Sequence, residues 1–478
     1  LSDISRLVIA AASSGAGKTS FTLGLLGALR ARGLEVAAFK AGPDYIDTQL
    51  HAAVLRRPSR NLDIRLMGRG AVLACLARNG ADNALSVIEG VMGLYDGSSL
   101  GTSTADLAVL TASPVLLLVD ASASAESAGA VALGFASYRR DVRVAAVILN
   151  RIAGKEHFEA AKAAVYAATG LPVLGYLPSD PALSLPERHL GLVEPGDSPD
   201  FDRAASALAA AVEAHVDLDA LIALAESAPC LPAAASSAGY TGGAVSACAV
   251  AGADAAAPVP ALRPLRVAVA RDAAFSFYYE DNFDAMRDAG LEPVFFSPLE
   301  DPALPTGVSG LYLGGGYPEL HAAALGRNDA MRDSIRRAAA AGLPVFSECG
   351  GYLYLLESLE DLEGRAHAGC GILPGRARMG RKLAALGYRE GRTLRDSVLG
   401  PAGTLLSGHV FHFSTVEGAE GVLSLGLPAP AGAGRPARPP EPDGSARGSA
   451  FGSYLHLHFA KNPEALANFA AACRTFAR

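Results

Sequence analysis

An aliphatic run, Leu7 to Ala12, ends in Ser13, Ser14, Gly15, Ala16, Gly17, Lys18 and Thr19, and a helical pattern follows from Ser20 to Arg32. No other stretch restricts the fold so tightly, because a buried strand must enter a glycine turn and a helix must leave it at once. Ser14, Gly15 and Gly17 let backbone N–H groups turn inward onto phosphate oxygens, and the helix N-terminus adds a favourable dipole. Lys18 can neutralise phosphate charge, and the Thr19 hydroxyl can ligate magnesium. Ala12 replaces the usual first glycine of this motif. The strand before the turn and the helix after it therefore carry the assignment to a nucleotide-binding P-loop.

The pattern continues along the chain. Short β-branched runs at 7–12, 36–41, 85–89, 115–120, 142–149 and 172–177 alternate with Ala-rich helical stretches, which predicts a parallel sheet covered on both faces. From 229 to 263 the sequence collapses to Ala, Ser, Gly and Pro, as a linker would. Beyond it, strands at 266–271, 292–297, 310–314 and 344–347 alternate with helices near 278–289 and 328–341. The expectation is thus α/β, with two open α/β domains at 1–228 and 264–478. A Pro/Gly/Ala/Arg tract at 428–449 reads as a mobile surface insertion in the second domain.

The first domain places acids at two further strand ends, Asp44 and Asp47 after the second strand and Glu89 and Asp96 around the third. Open α/β folds bind ligands at this carboxyl edge, and Mg²⁺ on ATP takes one or two carboxylates, so Thr19, Asp47 and Glu89 are its expected ligands. Capping of helices and turns is the commoner fate of Asp beside Gly and Pro. Of 41 basic residues only six are Lys, so those at 18 and 40 stand where a compact point charge is wanted.

In the second domain, Leu343 to Ser347 runs into Glu348, Cys349, Gly350 and Gly351 and then a helical stretch. This is the layout of a nucleophile elbow, with Cys349 at a helix N-terminus that favours its thiolate. Gly314, Gly315 and Gly316 form a second glycine turn; the N–H groups of Gly315, Gly316 and Gly350 could face an oxyanion. Tyr454, His456 and His458 alternate along a downstream strand. One histidine can act as base to Cys349 in acyl transfer, and the two could equally be a metal pair, although no third ligand at suitable spacing accompanies them.

Together, FKAGPDYID (39–47), His51, RPSRNLD (57–63), the acidic stretch 89–97, LPERHLGL (185–192), ARDAAFSFYYEDN (270–282), GGGYPE (314–319), SECGGYLYL (347–355) and GSYLHLHF (452–459) resemble the cobyrinic acid a,c-diamide synthase family. The resemblance implies a dethiobiotin-synthetase-like P-loop domain joined to a class I glutamine amidotransferase domain. It implies ATP- and glutamine-dependent amidation of the a and c acetates of a corrin ring through acyl phosphates, with ammonia passing inside the protein. By the same resemblance, Asp44, Glu89 and Asp96 serve the ATP half-reaction. Tyr45 and Ile46 touch the corrin, Asn150 reads adenine, and His456 activates Cys349. His458 stands where many class I relatives carry the Glu that orients the histidine. Positive contacts for the polycarboxylate are expected from Arg57 and Arg60, with Arg65, Arg188, Arg376, Arg378, Arg381 and Lys382 as further candidates.

Cobyric acid synthase shares both domains but lacks the GPDYID and RPSRNLD strings. Hydrogenobyrinic acid and nickel sirohydrochlorin remain alternative rings, and a partitioning-type ATPase switch would lack any need for Cys349. A net charge of −7 disfavours nucleic acid as a partner, the longest aliphatic run is too short to cross a membrane, and six scattered cysteines with no export signal fit a reducing cytoplasm. A homodimer stays open.

Overall fold

The computed structural model describes residues 4–185, 199–232, 264–428 and 439–478. It divides into two compact units, Leu1–Ser237 and Ala238–Arg478.

In the first unit, seven parallel strands form one sheet: β1 (Arg6–Ala11), β2 (Val36–Ala41), β3 (Arg60–Leu62), β4 (Leu85–Glu89), β5 (Val115–Asp120), β6 (Val144–Ile152) and β7 (Val173–Pro178). Their order is β3-β2-β4-β1-β5-β6-β7. Chain progression reverses direction at β1, so the crevice beyond its carboxyl end is the topological switch point where such sheets bind ligands. The six expected strands are present; β3, three residues long, adds an edge that the sequence reading did not include. The core strands are apolar through both faces, as in Leu7, Val8 and Ile9 or Leu116, Leu117 and Leu118, all buried, because helices cover both sides.

The second unit is built on β8 (Leu265–Ala270), β9 (Leu291–Phe296), β10 (Gly310–Leu313) and β11 (Val345–Glu348), which match the expected strands. Between them lie the helices Glu280–Asp288 and Asp329–Ala340. The remainder is richer in β structure than alternation suggested. Strands β12 (Ser358–Glu360), β13 (Ala366–Ala368), β14 (Arg376–Met379) and β17 (Ser414–Glu417) form a small mixed sheet. Strands β15 (Ala385–Thr393), β16 (Leu405–His412), β18 (Leu423–Gly426), β19 (Glu441–Asp443) and β22 (His456–Leu457) form an antiparallel one. The sheet of β8 to β11 is completed by β21 (Ala450–Ser453), parallel to β11, and β20 (Ser445–Arg447), antiparallel to β21.

Two boundaries change. The tract expected at 428–449 narrows, since 441–443 and 445–447 are strands; 429–438 lie outside the described residues. The linker expected at 229–263 lies outside them from 233 onward. Its start is held to the first unit, where the Arg6 guanidinium donates to the Pro229 carbonyl at 2.7 Å and Leu231 is buried. No described helix is long and apolar enough to cross a membrane.

Candidate functional site

At the carboxyl edge of the first sheet, β1 opens into the glycine turn and the helix Lys18–Ala31. Gly17, its N-cap, has φ +95°, and a Cβ there would meet Asn150 Nδ2 at 2.1 Å, so only glycine fits. Asn150, at the end of β6, donates from Nδ2 to the Ala16 carbonyl at 2.8 Å and accepts the Arg151 N–H at its Oδ1. Its amide thus braces the glycine turn, a contact beyond the adenine reading that the resemblance implied for it. Arg151 adds a second brace, donating to the Gly15 carbonyl at 2.9 Å while paired with Asp120. Ser14 and Gly15 are exposed at the tip of the turn.

The Lys18 ammonium donates to the carbonyls of Ser13, at 3.0 Å, and Met92, at 2.5 Å. Burial and the neighbouring Lys40 charge both pull its pKa down. Thr19 Oγ1 donates to Glu89 Oε1 at 2.8 Å and lies 3.4 Å from both Asp47 oxygens. Lys40, opposite Glu89 in the β2–β4 register, is buried between these acids. It binds Asp47, Glu89 Oε1 at 2.9 Å and the Gly90 carbonyl at 3.1 Å. His51 Nε2 meets Glu89 Oε2 at 2.7 Å and its Nδ1 meets Ser59 Oγ at 3.1 Å. Burial alone would raise the Glu89 carboxyl, but Lys40 and His51 reverse that and hold it low; Asp47 is pushed up by burial and by Glu89. Burial would likewise lower the Lys40 ammonium, and the two carboxylates outweigh it.

One hydroxyl and two carboxylates are hard oxygen donors of the number that Mg²⁺ takes beside phosphate oxygens, so the chemistry of this set fits that ion. No group of three or more His, Cys, Asp or Glu side chains among the described residues could hold a metal by itself. That leaves the His456 and His458 metal reading without a third ligand.

Asp44, two residues before the helix Ile46–Leu55, accepts the N–H groups of Ile46 at 2.8 Å and Asp47 at 3.2 Å. Asp96 Oδ2 accepts the Gly93 N–H at 2.8 Å and its charge acts on Lys18. Tyr45 is buried and Ile46 half-buried beside them. Arg60 opens β3, in register with Phe39. Arg57 requires a correction: it pairs with Glu35 at 2.5 Å and donates to Asn83 at 2.8 Å. Those two residues precede β2 and β4, so Arg57 sits at the amino edge of the sheet, away from the P-loop edge. Arg188 lies outside the described residues.

In the second unit, β11 ends at Glu348 and the helix Gly350–Leu355 begins with Cys349 as its N-cap, at φ +45° and ψ −107°. A non-glycine residue held there is strained, as an elbow nucleophile is. Cys349 Sγ lies 3.8 Å from the Phe411 carbonyl, and its N–H donates to the Ser453 carbonyl at 2.8 Å. The expected thiolate preference does not hold in this state. Burial pushes the thiol up, Glu319 and Glu348 add to it, and the Gly350 N–H opposes them.

The glycine turn after β10 packs against the elbow. Gly351 N–H donates to Gly314 O at 2.9 Å, and a Cβ on Gly350 would come within 3.0 Å of Gly316 N. Tyr278 Oη accepts the Gly314 N–H at 2.8 Å. His456 lies across Gly315, whose added Cβ would meet the ring Cε1 at 2.4 Å. Burial, then His409 and His412, bring the His456 pKa down to about 3, so the ring is a neutral base at pH 7. His412 stacks on Tyr454 with centroids 3.6 Å apart. Cys349, His456, Gly315, Gly316 and Gly350 are therefore gathered at one end of this sheet. Lys40, Arg151, Tyr312, Glu348 and Asn282 also shape the two sites. Only Lys40 carried a sequence signal, its rarity at a strand end.

Residues 7–193 match the model of the CobQ/CobB/MinD/ParA nucleotide binding domain, and residues 266–464 that of the CobB/CobQ-like glutamine amidotransferase domain. A cobyrinate a,c-diamide synthase of Dehalococcoides mccartyi strain CBDB1 is 38% identical over 488 residues, covering 98% of each chain. One of Listeria innocua is 40% identical over 97% of this chain and 98% of its own. A hydrogenobyrinate a,c-diamide synthase of Streptomyces coelicolor is 41% identical over 99% of this chain and 98% of its own. With a nucleotide-binding unit and an amidotransferase unit matched along nearly its whole length, this chain belongs to the cobyrinate a,c-diamide synthase family.

Proposed function

We propose that the protein uses ATP and glutamine to amidate the a and c acetates of cobyrinic acid, in the cytoplasm, as a step of cobalamin biosynthesis. The observation that carries this is the near-full-length identity to diamide synthases, taken with two sites in one chain suited to the two half-reactions. The free thiols of the five described cysteines support a reducing compartment.

In the first half-reaction, a corrin carboxylate oxygen attacks the γ-phosphorus of ATP and ADP leaves, giving an acyl phosphate. Lys18 exchanges the Ser13 and Met92 carbonyls for phosphate oxygens, and the turn's N–H groups orient the chain of phosphates. Mg²⁺ would be held by the Thr19 hydroxyl and the carboxylates of Asp47 and Glu89, and would supply neutralisation of phosphate charge. Asp44 and Asp96 shape the carboxylate side of the site, Asn150 lies where adenine is read, and Tyr45, Ile46 and Arg60 line the approach of the ring.

In the second, Cys349 Sγ attacks the glutamine amide carbon while His456 takes the thiol proton. The oxyanion faces the N–H groups of Gly315, Gly316 and Gly350. His456 returns the proton to the leaving nitrogen, ammonia departs, and water hydrolyses the thioester to glutamate. Ammonia then attacks the acyl phosphate, phosphate leaves, and the amide remains.

Hydrogenobyrinic acid is a second reading, favoured by a relative of that activity at 41% identity, as high as to the cobyrinate enzymes. Mass spectrometry of reactions with Mg-ATP, glutamine and either ring tests both. Two added amides on one ring identify the substrate, with Cys349→Ser active only on ammonia. No amide on either ring rejects the reading.

A further inference from the structure

His458 stands at the position where many class I relatives carry the acid that orients the catalytic histidine. In the structure, His458 Nδ1 accepts the Ala460 N–H at 3.3 Å and its ring lies 5.0 Å from that of Tyr279. Neither contact is to His456. The strand that carries His456, β22, is only two residues long and, among the described residues, pairs with β16 alone, through Gly408 and His409. Such a strand has little backbone pairing with which to fix a ring to within the half-ångström that proton transfer requires.

A carboxyl from the elbow supplies what the strand lacks. Glu348, only 2% exposed, lies immediately before Cys349. Its Oε1 accepts the N–H of Leu457, the residue after His456, at 2.7 Å, and its Oε2 shares a hydrogen bond with the hydroxyl of Tyr312 at 2.7 Å. Tyr312 stands on β10, two residues before the Gly314 to Gly316 turn. The other face of the same peptide segment is held by buried Asn282, which donates from Nδ2 to the Leu457 carbonyl at 2.8 Å and accepts the Phe459 N–H at 2.8 Å. Both backbone groups of Leu457 are thus held by buried side chains. The strand ends carrying the oxyanion turn, the nucleophile and the base meet at one carboxyl.

We propose that Glu348 is the positioning residue of the glutamine-hydrolysing pair, tying the His456 strand to the Cys349 elbow and the glycine turn. This rests on the reading of Cys349 and His456 as that pair. Glu348 does not touch glutamine; it acts through the backbone that carries His456. A fully satisfied buried network of this kind fixes geometry because each of its bonds is costly to leave unmade.

The test compares Glu348→Gln, which keeps both acceptor and donor capacity, with Glu348→Met, which keeps the volume and none of the bonds. Release of glutamate from glutamine, which needs no ring, is measured with the full-length protein, ammonia-dependent amidation of the ring that wild type amidates serves as control, and wild type beside Cys349→Ser checks the underlying reading first. A wild type that releases no glutamate overturns the reading and the proposal with it. Otherwise Glu348→Met is expected to lose at least 30-fold in kcat with glutamine KM within threefold of wild type, and alkylation of Cys349 by iodoacetamide to slow at least tenfold. Its ammonia-dependent amidation stays within twofold of wild type, and Glu348→Gln stays within threefold in every assay. The proposal is overturned if Glu348→Met keeps kcat within threefold, if KM rises while kcat holds, or if Glu348→Gln fails as badly as Glu348→Met. Should Glu348→Met lose ammonia-dependent activity too, its fold is damaged and Tyr312→Phe decides, with a fivefold or greater loss confined to glutamine-dependent kcat expected and an unchanged kcat overturning the proposal.

Discussion

Gly17 has no room for a side chain. Its φ of +95° already excludes most residues, and the Asn150 amide fills the space a Cβ would take. Gly17→Ala must either break the bond from Asn150 to Ala16 or move the turn that cradles phosphate. Its expected effect is a loss of at least 100-fold in ATP-dependent amidation with glutamate release kept within threefold, and equal loss of both would refute it. Glu348 makes a different demand on the fold. Burial raises its pKa to about 8 from an ordinary 4.5, so the folded state retains a proton that the unfolded chain gives up. The stability this confers is full below about pH 4.5 and is lost as pH rises through 8. Glu348→Gln has no proton to lose. Relative to wild type it should therefore gain stability from pH 5 to pH 8, on the order of 3 kcal/mol, in urea titrations at each pH. A difference that is flat with pH would show the carboxyl to be ionised when folded.

Between strands, the decisive contacts are those that register brings together across long sequence separations. Lys40 and Glu89 are adjacent on β2 and β4, and Asp47 closes on them from the helix Ile46–Leu55. Removing the cation leaves two buried carboxylates facing each other, which typically costs 3–5 kcal/mol. Lys40→Met should unfold the first unit at correspondingly lower urea, and millimolar Mg²⁺ should restore more stability to it than to wild type. No differential response to Mg²⁺ would count against Thr19, Asp47 and Glu89 as the ion's ligands. None of this pairing is legible in the chain, because two residues 49 apart become neighbours only through a register that the sequence does not state. What is legible is local. The strand, glycine turn and helix at 6–31 follow from period and composition, as do the elbow at Cys349 and the alternation that gives six strands of the first sheet. Short strands with interrupted alternation, such as β3 or β12 to β14, give too little periodic signal. Arg57 shows the same limit, since its charge is evident but the edge of the sheet it occupies is not. The Cys349 thiol shows it again: the helix N-terminus predicts a thiolate, while burial, which the sequence does not state, is the largest cause pushing the thiol up.

Over the whole molecule, two compact units each enclose a core of their own. One is centred on β1, β4 and β5 with the helices against them, and the other on β8, β10 and β11 with Phe346, Phe451 and Phe469 among its buried rings. Separate cores imply separate responses to ligands, because a ligand stabilises the unit whose folded state binds it and does nothing for a unit it does not touch. At 100 times its Kd a nucleotide adds about 2.7 kcal/mol to its unit, and for units of this size each kcal/mol moves Tm by about 2–4 °C. Calorimetry should therefore resolve two transitions, one rising by roughly 5–10 °C with a Mg-bound non-hydrolysable ATP analogue and indifferent to alkylation of Cys349. The other should shift when a glutamine-like electrophile fills the Cys349 site and ignore the nucleotide. Gly17→Ala should abolish the first shift alone, and Cys349→Ser the second alone, which assigns each transition to its unit without reference to any ring. A single transition moved by either ligand would mean that the units unfold as one, and the independence argued from their separate cores would be wrong.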